Sequence, residues 1–305
     1  MRGYALRRCL QSLVVLKGIL VIVFLVLHVT GDPAMMLLPP DADEEAYRIL
    51  RQQLGLDQPL VVQYGRFFWK VLQGDFGNSL VHEVPALPLV LAHLPATVEL
   101  ALAALLVALV IALPAGVIAA AKRDSPYDHA SMGVALFGQS VPNFWMGLML
   151  ILFLSLYLDL FPTSGRGTLR HLALPALTAG LYATARITRL VRSGMLEVLN
   201  QDYIRTARSK GLAEGGVVMH HALKNASIPV VTLVGLELGI LLGGTVVTET
   251  VFAWPGVGRL AVQSIHDSDY PVVEAVVFVL AFFFVFINLA VDLLYAYLDP
   301  RIRYE

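Results

Sequence analysis

YIRTARSKGLAEGGVVMHHALKN, Tyr203 to Asn225, is a basic segment set between two strongly apolar runs. It carries two Arg, two Lys and two His against a single Glu. The flanking runs are built for hydrocarbon, whereas this segment is built for water or for a partner surface. Met195 to Lys210 is rich in helix formers, and Gly211 supplies a helix stop. Asp202 precedes Arg205 and Thr206 by three and four residues, the spacing of neighbours on one helix face. After Gly215-Gly216, Val217 to Asn225 resumes as a helix that runs into Pro229. The expectation is helix, glycine hinge, helix, lying on the inner face of a membrane with a protein docked on it. The alternative is an amphipathic pair held by anionic lipid.

Working outward, 57% of the 305 residues are hydrophobic and 15% charged, with a mean hydropathy of +0.70. A soluble domain carries about 25% charged residues. A net charge of −1 offers no bulk attraction for nucleic acid, so lipid is the expected environment and nucleic acid is not an expected partner. The single Cys9 excludes an intramolecular disulfide and a cysteine metal cluster.

A span needs roughly 20 apolar residues. Six are read, at about 10–30, 98–121, 131–158, 171–192, 228–250 and 275–297. The fourth is the weakest, interrupted by Arg186 and Arg189. Fourteen Lys and Arg fall in the N-terminus, the loop after the second span, the 186–225 region and the tail, against seven on the opposite side. Positive charge collects on the cytoplasmic face. Both termini and the 193–227 loop are therefore expected in the cytoplasm, in an all-α polytopic fold. The basic start and first apolar run also suit a signal peptide. That run is long for one and no A-x-A site succeeds it, so an uncleaved anchor is the expectation.

The chain divides into three regions: 1–94, a first span plus an extracytoplasmic segment; 95–297, a transport core; and 298–305, a cytoplasmic tail. In the first, Glu44 to Leu54 reads as an amphipathic helix with Asp43 as N-cap and Gly55 as stop. Tyr64 to Leu72 reads as a second, and Gly74, Gly77, Pro85, Pro88 and Pro95 punctuate the chain beyond it. A packed platform is expected here, with a solvated loop as the alternative.

The sequence contains no GxxxxGK[ST], HExxH or GxSxG, so neither catalytic residues nor metal ligands are assigned. His220 and His221 are adjacent, about 100° apart on a helix, and do not converge on a metal. Ionisable groups inside a span cost about 2.5–3.5 kcal/mol on insertion scales and are functional candidates. Glu237 lies mid-span, about 160° from the centre of the Gly235, Gly239 and Gly243 stripe. It is either a pathway residue or a hydrogen-bonded interior carboxyl. Asn288, Asp292 and Tyr295 share one face of the last span, and Asp292 is expected to pair structurally with Arg186 or Arg189. Glu249 is expected to fix the adjoining WPG turn or to seat an external partner. Lys17 receives no assignment.

The opening segment resembles the EAA loop of bacterial ABC importer permeases, whose pattern is E-A-A, three residues, Gly, about nine residues, then I-x-L-P. Arg205-Thr206-Ala207 stands at E-A-A, Gly211 at the glycine, and His221-Ala222-Leu223-Lys224 at I-x-L-P, where Leu223 matches. The departures at Arg205, Thr206 and Lys224 resemble the branch that imports dipeptides, oligopeptides, glutathione or nickel. So do Gly31-Asp32-Pro33, LGLDQPL (54–60), GDFGNS (74–79), the TET-F-WPG-G pattern (248–258) and DPRIRY (299–304). This resemblance spans the chain in one register.

It implies a type I ABC importer permease fold, with a second permease subunit completing a heterodimer. Two cytoplasmic ATPases would hold ATP and Mg, this chain would hold no cofactor, and an extracytoplasmic binding protein would deliver the cargo. A coupling helix around Thr206 to Gly216 would enter an ATPase groove. Tyr203, Arg205, Thr206, Ala207, Arg208, Lys210, Gly211, Leu212, His221, Leu223 and Asn225 are the implied docking-loop residues. The implied cargo is a dipeptide, oligopeptide or glutathione, with nickel or another small solute as the alternative in the same family. From other classes, a proton-coupled secondary transporter would use Glu237 and Asp292 as relays, and a membrane scaffold would transport nothing.

Overall fold

The computed structural model describes residues 2–30 and 43–298, where the chain is helix and turn apart from one isolated bridge between Asn78 and Pro85. α1 is Arg2–Thr30, α2 Glu44–Leu54, α3 Leu60–Leu72 and α4 Ala86–Ala121. α5 (Pro126–Ser140) meets α6 (Asn143–Leu150), which continues as a π-type turn over Ile151–Tyr157. α7 is Leu169–Leu199 and α8 is Asp202–Ser209. A helical turn at Glu214–Gly216 and a π-type turn at Val217–Ala222 lead into α9, Leu223–Gly244. α10 (Val246–Val251), α11 (Val257–His266) and α12 (Tyr270–Leu298) complete the order. The Gly31-Asp32-Pro33 and DPRIRY motifs lie outside the described residues.

Three described helices are long and apolar enough to cross a bilayer, Leu6–Leu25, Ala86–Ala121 and Tyr270–Leu294, and two bent pairs raise the number to five. The third expected span departs from a straight helix, because α5 and the α6 segment meet at 105°. Pro142 has no N–H to donate and drives Val141 into extended backbone at φ −87°, ψ 129°. α4 starts at Ala86 rather than near residue 98, and Pro95 does not break it. The fifth expected span ends at Gly244, and α10 takes up its outer part. α7 is long enough to span, but Arg186, Arg189 and Arg192 crowd its second half. Its buried Thr178, Thr184 and Thr188 turn their hydroxyls back onto the carbonyls of Leu174, Gly180 and Thr184 at 2.7–2.8 Å. No polar hydrogen of these side chains is left facing apolar surroundings.

In lipid, apolar surface gains nothing by leaving water, so helices associate by close van der Waals fit. α4 and α7 fit through small residues. Ala101, Ala104, Ala108 and Ala112 are fully buried, and Ala179 and Ala183 face them in the same core. A Cβ added at Gly180 would stand 2.5 Å from the Ala104 carbonyl oxygen, and one at Gly116 would stand 2.7 Å from Val191. The opposite face of α4 keeps Leu102, Leu106 and Val110 exposed, as hydrocarbon contact requires.

A second core joins Leu20 of α1, Val71 of α3, Val90 of α4, Val257 and Leu260 of α11 and Val272 of α12. The segment 43–85 is thus partly packed. Asp43 caps α2 through Ala46 N–H at 2.8 Å, and Gly55 ends it at φ 69°. In GDFGNS, Ser79 donates to buried Asp269, which also accepts from Leu80 N–H at 3.1 Å. Glu249, fully buried, accepts from Thr97 (2.8 Å), Thr245 (3.0 Å) and the Arg259 N–H (3.0 Å). Thr97 in turn accepts from Val257 N–H, and the Trp254 indole donates to the Ala96 carbonyl, both at 2.8 Å. Glu249 therefore fixes the WPG turn against α4 and supplies the first turn of α11 with an acceptor.

Gly180→Leu should destabilise the fold by about 1–3 kcal/mol through overpacking. Gly215→Leu, with open space around it, carries no steric cost. Thermal midpoints in detergent, read by tryptophan fluorescence, should fall for the first and hold for the second. Thr97→Val removes a donor from Glu249 and an acceptor from Val257, an expected loss of about 1–3 kcal/mol. Equal midpoints for Thr97→Val and the unmutated chain would show that the buried network contributes nothing.

Candidate docking loop and intramembrane polar residues

α7 stops at Leu199, and the chain turns at Asn200 and Gln201 before α8. The eight residues of α8 are strongly two-faced. Ile204 and Ala207, one turn apart, are buried in the main core with Met195, Val217, Val218 and Ala222. Tyr203, Arg205, Thr206, Arg208, Ser209 and Lys210 face outward. Gly211 comes next at φ 80°, a left-handed conformation that favours glycine, and its N–H returns to the Arg208 carbonyl at 2.9 Å. Arg208 then grips Glu214 with a two-pronged contact at 3.0 and 2.7 Å, bridging the turn. The Asn225 amide donates to the Tyr203 hydroxyl and to the His221 carbonyl, both at 3.0 Å, tying the two ends of the loop together.

The expected helix, hinge, helix order is present, but its boundaries move. The short helix is Asp202–Ser209, so the expected Thr206 to Gly216 element straddles its end and the Gly211 turn. The resumption begins at Glu214, not after Gly215-Gly216, and Gly216 is helical at φ −66°, ψ −42°. Helix formers alone do not carry one helix from Met195 to Lys210, because the chain turns at residues 200–201. Arg205 pairs with Asp202 at 3.4 Å, the expected i+3 partner, while Thr206 bonds the Asp202 carbonyl at 3.0 Å. His221 is exposed and Leu223 half-buried. Leu212 and Met219 add exposed apolar surface beside the basic face.

The loop is also held from α7. Arg192 donates from Nε and Nη2 to both oxygens of buried Asp128 at 2.6 and 2.7 Å, locking the second half of α7 to the start of α5. Asp128 further accepts from Asp124 N–H at 3.1 Å. Sequence reasoning missed this pair. Ser125-Pro126 with an acid at the third helical position signals a helix start, but nothing local points to Arg192.

Arg186 does not reach Asp292, and neither does Arg189. Asp292 pairs with Arg8 at 3.2 Å, because α12 packs along α1, while Arg186 pairs with Glu237 at 3.0 Å. Asn288 bonds its own helix at the Phe284 carbonyl (2.8 Å) beside Gly239, and the side chain of Tyr295 lies outside the described ones. Gly235 and Gly239 sit against α12, at Val291 and Phe284, whereas Gly243 has open space. Glu237 accordingly faces the other way, towards α7. It is 1% exposed. The Arg186 Nε–H does not point at its Oε1, which is left without a hydrogen bond. Glu237 borders a cavity of about 70 Å³ shared with Asn143, Tyr182 and Gly244.

Residues 112–304 match the family described as "Binding-protein-dependent transport system inner membrane component", and residues 1–101 match the corresponding N-terminal family. The chain is 43% identical over 306 residues to the glutathione transport system permease protein GsiC of Salmonella paratyphi A, covering all of both chains. It is 42% identical to GsiC of Escherichia coli K12, again end to end. With the dipeptide transport system permease protein DppB of Alkalihalophilus pseudofirmus it shares 40% over 333 residues, all of both chains. Among solved structures it is similar to the inward-facing MetNI methionine ABC transporter, with a TM-score of 0.60 and 19% identity over 69% of this chain and 96% of that one. An amino acid ABC transporter with histidines gives 0.53 and 15%, over 70% and 94%. At these identities the solved structures speak for the fold alone. The chain belongs to the binding-protein-dependent transport system inner membrane components: it is an all-helical, multi-pass permease subunit of an ABC importer.

Proposed function

We propose that this permease passes dipeptides, oligopeptides or glutathione inward, driven by ATP hydrolysed on separate subunits. The names of its full-length relatives, glutathione and dipeptide permeases, support that cargo class. The assembly would hold a second permease subunit, two cytoplasmic ATPases binding ATP and Mg, and an extracytoplasmic binding protein. Both termini and the 193–227 loop would face the cytoplasm, with six spans, as the distribution of Lys and Arg favours. Two family matches meeting between residues 101 and 112 support a first span and outer segment placed before a transport core.

The observation that carries the mechanism is the two-faced loop. Ile204, Ala207, Val217 and Val218 are sunk in the core, while Arg205, Thr206, Arg208, Lys210 and Leu212 are presented outward. A helix anchored this way can move the bundle when a docked ATPase closes. It would sit in an ATPase groove with α8 as the coupling helix and Tyr203 and Asn225 bracing its base. A proton-coupled mechanism is disfavoured because both candidate relays, Glu237 and Asp292, are paired with Arg.

Gly211→Pro tests the coupling role. Proline fixes φ near about −65° and removes the N–H, so it can keep neither the left-handed turn nor the bond to Arg208. Uptake of labelled glutathione or alanyl-alanine should fall at least tenfold, with less ATPase copurifying. Normal uptake would sink the coupling role. Activity in vesicles devoid of any ATPase would favour the proton-coupled class, and uptake surviving complete deletion of the chain would favour a scaffold.

A further inference from the structure

Glu237 and Arg186 meet where α7, α9 and the start of α6 come together, beside the 105° break between α5 and α6. Glu237 is almost wholly buried, yet its Oε1 accepts no hydrogen bond. A buried charged acceptor with unfilled capacity is costly. A cavity of about 70 Å³ lies against it. Water takes about 30 Å³ per molecule, so this space has room for a terminal ammonium but not for a whole peptide. Arg186 is differently placed. Its side chain is 32% exposed, and its guanidinium stands 5.9 Å from the Tyr182 ring centroid. Tyr182 and Asn143 add neutral polar groups at the same opening.

Charge balance restricts the ligand. With both groups ionised the pair is neutral. A lone cation taken by Glu237 would strand Arg186, and a lone anion taken by Arg186 would strand a buried carboxylate. A zwitterion satisfies both partners, its ammonium filling the open acceptor and its carboxylate meeting the guanidinium fork.

We propose that Arg186 and Glu237 form an intramembrane binding site for the charged ends of a zwitterionic substrate. Glu237 takes the ammonium in the cavity and Arg186 takes the carboxylate at its mouth. The site rests on the peptide-class reading of the permease. It makes this chain, and not the binding protein alone, a determinant of selectivity.

The complete transporter, assembled with its partner subunits and binding protein in proteoliposomes, decides the matter with alanyl-alanine as probe. Glu237→Gln, Arg186→Gln and the double variant are compared at equal assembly, measured by copurification. A structural pair predicts that the two single variants suffer and that the double one, with no stranded charge, recovers. The binding site predicts that all three lose at least tenfold in uptake. Recovery of the double variant to within twofold of the unmutated protein overturns the site while leaving the peptide reading intact. Should the double variant fail to assemble, Arg186→Lys serves, because it keeps the charge and loses the fork. A fivefold or greater loss supports the site, and a smaller one overturns it. No uptake of alanyl-alanine or glutathione by the unmutated assembly overturns the peptide reading and the site together.

Discussion

Glu249 is fully buried, so its carboxyl group must replace the hydrogen bonds of bulk water with ones from the protein. The donors come from three places: Thr97 on α4, Thr245 between α9 and α10, and the backbone of Arg259 in the first turn of α11. That single constraint sets the end of the bundle where α10 meets α11. The turn between α10 and α11 must return close enough for Arg259 N–H to reach the carboxyl, which leaves no room for a side chain at Gly256 or Gly258. Trp254 is drawn in with it, bonded to α4. Ser79 and Asp269 then fasten the preceding segment to the start of α12. This end is closed by bonds between distant parts of the chain, and a fully satisfied network of that kind rigidifies what it joins.

The end that carries the 193–227 loop is built differently. Its loop is anchored by a few apolar side chains and by Arg192 on Asp128, and the rest of its surface is left open. α7 links the two ends. Arg186, beside the cavity, and Arg192, at the loop anchor, are separated by about 9 Å of rise at 1.5 Å per residue. A displacement of α8 that shifts α7 must therefore also move the guanidinium facing Glu237. Close packing of α4 on α7 through Ala and Gly makes that movement one of rigid helices rather than of soft side chains.

Legibility in the sequence divides along the same line. Apolar runs and the two-faced loop are local properties, and each expected apolar run is helical, although α4 starts earlier and the third run is broken. Val141-Pro142 carries the signal for the break, but an apolar run of span length conceals it, because hydropathy is blind to direction. The break falls at Gly211 as expected, but the resumed helix starts three residues earlier than Val217, because two consecutive glycines look like a break and are not one. Glycine interrupts a helix only where the backbone takes up its freedom, as Gly211 does at φ 80° and Gly216 does not. Partner choice among the ionic groups is beyond reach. Arg186, Arg189 and Arg192 stand on one helix, the acids Asp128, Glu237 and Asp292 on three others, and only the packing of α1 on α12 gives Asp292 to Arg8.

Glu237 and Glu249 put the two ends side by side. Both are buried carboxyl groups in the stretch from 223 to 251, and residue type alone cannot separate them. Glu249 accepts three hydrogen bonds from fixed donors, so any rearrangement there loses contacts already made. Glu237 has a partner close by at 3.0 Å but poorly aligned, one oxygen unfilled and a cavity next to it. Rearrangement there can gain contacts. A saturated carboxyl is a structural fastening, and an unsaturated one next to a partly exposed cation is a place where a ligand can improve on the protein's own arrangement. Burial marks both residues as costly, but only the unfilled hydrogen-bonding capacity distinguishes the one placed to bind.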